Sequence, residues 1–188
     1  MQRISVVGNS GSGKTTLAVA LAETLGLPMV ELDAEFHQPG WEPRPTEEFR
    51  ARVATLTAGP RWIVDGNYSA VVRDLVWARA DTVVWLDLPR WRVVSQLVPR
   101  TVGRAVTRRE LWNGNREPFT GMFRWDPERS ILRWSWTRHR VYRTRYEAAM
   151  EDPAHTHLRF VRLGSRAEIA RFIGGLSPRP GDGSAAAG

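Results

Sequence analysis

The sequence predicts an α/β domain built on a parallel sheet. Three observations point there. Short β-branched runs alternate with stretches of helical periodicity along almost the whole chain. The first run ends in a glycine-rich turn that leads directly into a helix. And 188 residues with 42% hydrophobic content suffice for one core, since a chain of this size buries about 70% of its unfolded surface. In open sheets of this kind ligands gather at the carboxyl edge of the strands.

Taken in order, residues 3–7 (RISVV) form a buried first strand ending at Gly8. Residues 14–25 set Leu17, Leu21 and Leu25 on one helical face. Pro28 introduces MVEL, a second strand ending near Asp33, and 34–45 read as irregular around Pro39, Gly40, Pro43 and Pro45. Thr46, Glu47 and Glu48 open a helix with Phe49, Val53 and Leu56 on its apolar face, and Gly59-Pro60 stops it. Residues 62–64 are a third strand closing at Asp65-Gly66, with a short helix around 70–79. TVVWL is a fourth strand. Residues 90–107 read as helical with an interruption at Pro99, and 108–125 as irregular. A long arginine-laced helix over 127–150 starts after Asp126-Pro127. Residues 156–163 give a fifth strand, and Ser165 with Glu168 has capping-box spacing for a last helix over 166–175. From 176 onward the composition is that of a disordered tail. No internal repeat is visible.

One motif carries chemistry. Gly8-Asn9-Ser10-Gly11-Ser12-Gly13-Lys14-Thr15, followed by Thr16, fits G-x-x-x-x-G-K-[ST], the phosphate-binding loop. The glycines allow a tight turn in which successive N–H groups face one centre. The helix that follows adds its positive end. Lys14 reaches the β- and γ-phosphates of a nucleotide such as ATP, and the Thr15 hydroxyl is placed to ligate Mg²⁺. A plain glycine-rich turn is the alternative; at this composition a chance match is expected in about one chain in a thousand.

Four segments in order, GNSGSGKTT, LDAEFHQPGW (32–41), VDGNY (64–68) and RRELWNGNRE (108–117), resemble the adenylate-kinase-like proteins often called DNA-topology-modulation proteins. The resemblance spans about residues 1–175. It implies a P-loop NTPase fold, a single domain with a five-stranded parallel sheet in the order 2-3-1-4-5 flanked by helices. An acceptor-side insert about 34–58 and an arginine-rich lid about 99–126 come with it. The implied activity is ATP-dependent phosphotransfer to a small acceptor. Asp65 resembles the aspartate that orients Mg²⁺ through water in nucleotide kinases. The chain departs from adenylate kinase at Asp65-Gly66-Asn67-Tyr68-Ser69, where that family has Asp-Gly-Phe-Pro-Arg. Losing this arginine counts against AMP as acceptor, and Arg44 and Arg73 are the available substitutes.

Further candidates follow. Asp33 is placed to accept an acceptor proton or hold a metal-bound water; a capping aspartate is the plainer reading. His37, Trp41, Asn67 and Tyr68 are candidates for acceptor contact, although a loop tryptophan commonly packs on its own domain. Arg100, Arg104 and Arg108 recur at i, i+4, i+8 and form one guanidinium row on a helix. In a lid, Arg104 and Arg108 would neutralise the transferring phosphoryl group, and Arg100 would hold the donor; a solvated helix face is the alternative. Arg109 and Arg116 are weaker candidates. Arg166, after the fifth strand, is placed to stack on adenine. His155 and His157 lack a third partner and read as surface residues rather than a metal site.

Charge and composition set the outer limits. The 27 basic against 20 acidic residues give +7. Lys14 is the single lysine; the other basic residues are arginines. Residues 90–145 hold 14 arginines and 4 acids, so the rest of the chain nets −3. This asymmetry suggests an anionic partner, and a nucleic-acid-associated ATPase using that segment is the competing function. The plainer reading of 127–150 is aromatic residues facing the core and arginines facing water. A nucleotide-dependent switch without turnover is a third reading; a guanine-specific one is disfavoured, because no Asn-Lys-x-Asp motif exists. No cysteine occurs, which excludes disulfides and thiolate chemistry and fits a reducing cytoplasm. No apolar run reaches the roughly 20 residues of a membrane span, and the amino end reads as a strand rather than a signal peptide. A monomer or weak homodimer is expected.

Overall fold

Five parallel strands form one sheet in the order β2-β3-β1-β4-β5. The computed structural model describes residues 1–68, 70–93, 95, 112–115 and 131–176; for 131–138 it describes the helix but not its side chains. In chain order these are β1 (Arg3–Gly8), α1 (Lys14–Leu25), β2 (Met29–Glu31), α2 (Leu32–Phe36), a 3-10 turn (Pro39–Trp41) and α3 (Thr46–Leu56). Then come β3 (Trp62–Asp65), α4 (Arg73–Arg79), β4 (Thr82–Leu86), α5 (Ile131–Glu151), a second 3-10 turn (Pro153–His155), β5 (Arg159–Leu163) and α6 (Arg166–Gly174). The predicted sheet and its order are those observed.

The period-2 alternation of the strands sorts their side chains into two cores. Ile4, Val6, Ile63, Val84 and Leu86 face one side, with Leu17 and Leu21 of α1 and Ile169 of α6 packed on them. Val7, Trp62, Val64, Val83 and Trp85 face the other, under Phe49 and Val53 of α3, Val76 and Trp77 of α4, and Tyr146 and Ala149 of α5. Each fully buried aliphatic chain contributes about 1.5–3 kcal/mol. Leu32 and Phe36 of α2 pack on this second face as well. Trp77 Nε1 donates to Ser5 Oγ at 3.3 Å within this core, so the serine on the central strand is partnered.

The structure corrects several boundaries. The second strand stops at Glu31, and residues 32–36 turn into α2 instead of running irregularly from 34. Leu32 causes this: its side chain drops over Gly66, where an added Cβ would lie 2.9 Å from the leucine Cβ. Asp33 therefore sits in the first turn of α2 and not at a strand end. The fifth strand starts at Arg159, because 153–155 form the 3-10 turn. The helix expected around 70–79 covers Arg73–Arg79. The predicted capping box is present: Ser165 Oγ accepts from Glu168 N at 3.2 Å, and Gly164 N donates to Glu168 Oε2 at 2.8 Å.

Candidate functional site

The β1–α1 turn is folded as a phosphate loop requires. Gly8, Gly11 and Gly13 have φ of 150°, 82° and 92°. A Cβ on Gly8 would meet Leu86 O at 2.7 Å, so this position admits only glycine. Ser12 N donates to Asn9 O at 3.1 Å, and Ser10 N to Asn9 Oδ1 at 2.9 Å. Gly13 is the left-handed N-cap of α1 and makes no side-chain cap bond to its amides. Lys14 Nζ donates to Asn9 O at 3.2 Å and so folds back over the loop. Thr16 is exposed on the first turn of α1.

Two carboxylates stand near this loop. Asp65, at the end of β3, is 3% exposed, and its Oδ2 accepts from Thr15 Oγ1 at 2.6 Å. Burial pushes its pKa up; the Lys14 charge and the Thr15 bond oppose that, and the Asp33 charge adds to it. Its Oδ1 is buried without a hydrogen-bond partner. A hydroxyl, a carboxylate and an unpartnered carboxylate oxygen are a hard donor set that suits Mg²⁺, which keeps waters and substrate phosphates as its other ligands. No cluster of three His, Cys, Asp or Glu suited to a metal occurs among the described residues.

Asp33 lies across the cavity from the loop. Tyr68 Oη donates to Asp33 Oδ1 at 2.8 Å and lies 3.4 Å from His37 Nε2. Burial and the Asp33 charge raise the Tyr68 pKa far above its ordinary value, so the phenol stays protonated. Burial lowers that of His37, with Asp33 opposing. Between loop and Asp33 is a cavity of about 390 Å³ lined by Ser10, Lys14, Asp33, Tyr68, Val71 and Tyr142, among others.

His37 and Trp41 stand behind this wall. Their rings meet edge to face at 5.2 Å, and each packs on Trp112 at 6.3 Å. Trp41 has a φ of 63°, uncommon for a bulky residue, and its N–H donates to Asn115 Oδ1 at 2.9 Å. Asn115 Nδ2 donates to Gln38 O at 2.8 Å, and Asn113 Nδ2 to Ala34 O at 3.0 Å and His37 O at 2.6 Å. Residues 112–115 thus clasp the segment 34–41. The sequence places them only in the irregular stretch over 108–125. The available signal was Asn113-Gly114, a pair that tolerates left-handed backbone and adopts it here, with φ of 53° and 77°.

Asn67 points its amide at Gly8 of the loop, and both Asn67 and Tyr142 of α5 line the cavity. Arg44 Nε donates to Glu35 O at 2.8 Å, and Arg73 lies 5.3 Å over the Trp77 ring. Neither lines the cavity. Arg166 is exposed at the start of α6. His155 packs edge-on against Trp77 at 5.1 Å, and His157 Nε2 lies 3.0 Å from Trp77 O. On α5, Tyr146 is buried, while Arg140 and Arg143 are exposed, as the plainer reading of this helix expects. Arg100, Arg104, Arg108, Arg109 and Arg116 lie outside the described residues, as do Ser69, most of the expected lid and the tail from 177. No described helix is long and apolar enough to cross a membrane.

No protein-family model matches the chain, and no curated protein sequence matches it. Solved structures do. Shikimate kinase from Acinetobacter baumannii, in complex with shikimate, superposes with a TM-score of 0.51 at 19% identity, over 93% of this chain and 89% of that one. Shikimate kinase from Bacteroides thetaiotaomicron gives 0.52 at 14% identity, over 92% and 94%. A gluconokinase from Sinorhizobium meliloti 1021 gives 0.48 at 20% identity, over 92% and 94%. The fold is that of P-loop kinases.

Proposed function

We propose that the protein is a phosphotransferase that moves the γ-phosphoryl group of Mg·ATP to a hydroxyl of a small, uncharged acceptor. The observation that carries this reading is one cavity lined by both Lys14 of the loop and Asp33. Its donor side is main-chain N–H groups, Lys14 and the start of α1, a combination suited to polyphosphate. Thr15 and Asp65 would hold Mg²⁺, which when bound supplies charge neutralisation between the phosphoryl oxygens. Asp33 accepts the acceptor's hydroxyl proton, which makes that oxygen the nucleophile. Tyr68 donates to Asp33 Oδ1, which leaves Oδ2 to receive that proton. Lys14 is the one cation among the described residues that line the cavity, and the loop assigns it to the donor. Among the described residues the acceptor side is then aromatic, apolar, amide and carboxylate. Among the described residues an acidic acceptor would meet Asp33 without a compensating charge, whereas a neutral hydroxyl compound would not.

The adenylate-kinase-like resemblance supports the same reading, with the arginine row at 100, 104 and 108 as the lid's contribution and Arg166 at the adenine. Cytoplasmic ATP chemistry by a monomer or weak homodimer completes the proposal. The test is to incubate the protein with Mg·ATP and a panel of nucleosides, nucleoside monophosphates and neutral polyols, and to follow ADP. Acceptor-dependent ADP formation confined to neutral compounds is expected. Stimulation by DNA alone would replace the kinase reading with the nucleic-acid-associated ATPase.

A further inference from the structure

The β1–β3 ladder runs from Arg3↔Trp62 to Val6↔Asp65 and ends there. Gly66 N still donates to Val6 O at 3.2 Å, but Gly66 has a φ of 139° and the chain leaves the sheet. In a parallel ladder the N–H and C=O of one residue face the same neighbour. Gly8 is the next residue of β1 whose pair faces β3, and no β3 backbone remains for it. The Asn67 side chain takes that place. Gly8 N donates to Asn67 Oδ1 at 3.0 Å, and Asn67 Nδ2 donates to Gly8 O at 2.7 Å. A primary amide presents one acceptor and one donor as a peptide unit does, so it extends the ladder by one residue into the phosphate loop.

A second group holds that amide. Tyr146 Oη donates to Asn67 Oδ1 at 3.0 Å. The tyrosine is 1% exposed, and its ring packs on Trp85 and Trp77 at 5.4 and 6.3 Å. With Gly8 N–H and Tyr146 O–H both directed at one end, only the oxygen satisfies them, and the amide has a single orientation. One turn earlier on α5, Tyr142 lines the cavity and stacks on Tyr146 at 6.2 Å and 15°. The same helix is fixed to the end of β4, where His139 Nε2 lies 2.9 Å from Leu88 O.

We infer that Asn67 and Tyr146 are positioning residues for the donor: they hold Gly8, the first residue of the phosphate loop, in the shape that receives polyphosphate. The inference rests on the phosphate-loop reading. Neither side chain needs to touch the nucleotide. Asn67 acts on Gly8, and Tyr146 acts only through Asn67. Because Tyr142 stacks on Tyr146, the acceptor wall and the donor loop share one hydrogen-bonded and packed connection.

The test is calorimetric titration of the full chain with Mg·ATP and, separately, with Mg·pyrophosphate. Tyr146→Phe keeps the ring and removes one hydroxyl. It is expected to weaken both ligands by the same factor, about fivefold for one lost hydrogen bond. Asn67→Asp opposes a carboxylate oxygen to Gly8 O and is expected to weaken both by more than about tenfold. The double variant Asn67→Ala/Tyr146→Phe is expected to bind no worse than Asn67→Ala, since Tyr146 has nothing left to orient. A merely structural role would lower the melting temperature and leave the affinity of the folded protein unchanged. Folded Tyr146→Phe that binds both ligands within twofold of wild type overturns the inference, whether or not the Asn67 variants fold. Wild type that takes up neither ligand overturns the phosphate-loop reading, and the inference with it.

Discussion

The two walls of the cavity are made of different material. The proposed donor wall is largely main chain: a nine-residue stretch from Gly8 to Thr16 in which three glycines take backbone angles closed to other residues, with Lys14 beside them. The acceptor wall is side chain: Asp33 from α2, Tyr68 after β3 and Tyr142 from α5, brought together from positions more than a hundred residues apart. A main-chain wall cannot change its chemistry by substitution, because every residue offers the same N–H. A side-chain wall can. In the proposed function, phosphate binding is thus the fixed part of the site and acceptor choice the adjustable part.

The largest effect expected separates the walls by kinetics. Asp33→Asn removes the proton acceptor and should lower kcat by about 10²–10⁴-fold, while calorimetric affinity for Mg·ATP stays near wild type. Equal loss of both would mean that Asp33 belongs to the donor wall. Gly8→Ala is the complementary change. The methyl would meet Leu86 O at 2.7 Å, at a φ of 150°, and strain of this kind costs roughly 1–3 kcal/mol. A lower melting temperature together with lost ATP affinity is the expected outcome in thermal and titration measurements. An unchanged melting temperature would show that the loop relaxes around the methyl. Tyr68→Phe should be milder. It removes the bond to Asp33 Oδ1 and, at about 1 kcal/mol, should change kcat/KM for the acceptor about fivefold with ATP affinity unaltered in steady-state and binding assays.

The smallest effect is a pH dependence on the acceptor side. Burial lowers the His37 pKa below 6.5. As pH falls through 6.5 the unfolded chain takes up this proton before the folded chain does. His37 therefore makes stability fall on acidification from 6.5 down to its folded pKa. Urea midpoints measured between pH 8 and 5 should decline less in His37→Gln than in wild type. A steeper decline in the variant would reverse the sign and refute the burial argument.

Different parts of this site were legible to different degrees. Gly8 to Thr15 could be read because the loop is contiguous and its residue types are dictated one by one. Asp65 could be read because it closes a strand beside that loop. The sheet order came with the resemblance and is the order observed. Asp33 is expected at a strand end but lies in the first turn of α2, where Leu32 packs over Gly66, more than thirty residues away. Asn67, an acceptor-contact candidate in the sequence, lines the cavity and also directs its amide at Gly8. A hydrogen-bonding side chain at the end of a strand looks the same in sequence whether it serves a ligand or a neighbouring backbone. Trp41 was placed on the acceptor, but Asn115, from a distant segment, draws its backbone into line beside Trp112.

What the sequence by itself determined is the local chemistry: alternation that makes strands, leucines that make α1, glycines and one lysine that match the phosphate-loop pattern. These depend on neighbours within a few residues, where chain connectivity already supplies the geometry. Only the tertiary structure decided which side chains face the cavity. It set Tyr142 there and Trp41 behind it, and it turned Asn67 onto Gly8. Those choices follow from packing between segments that connectivity leaves free, so they appear only once the sheet has brought β1, β3 and α5 into contact.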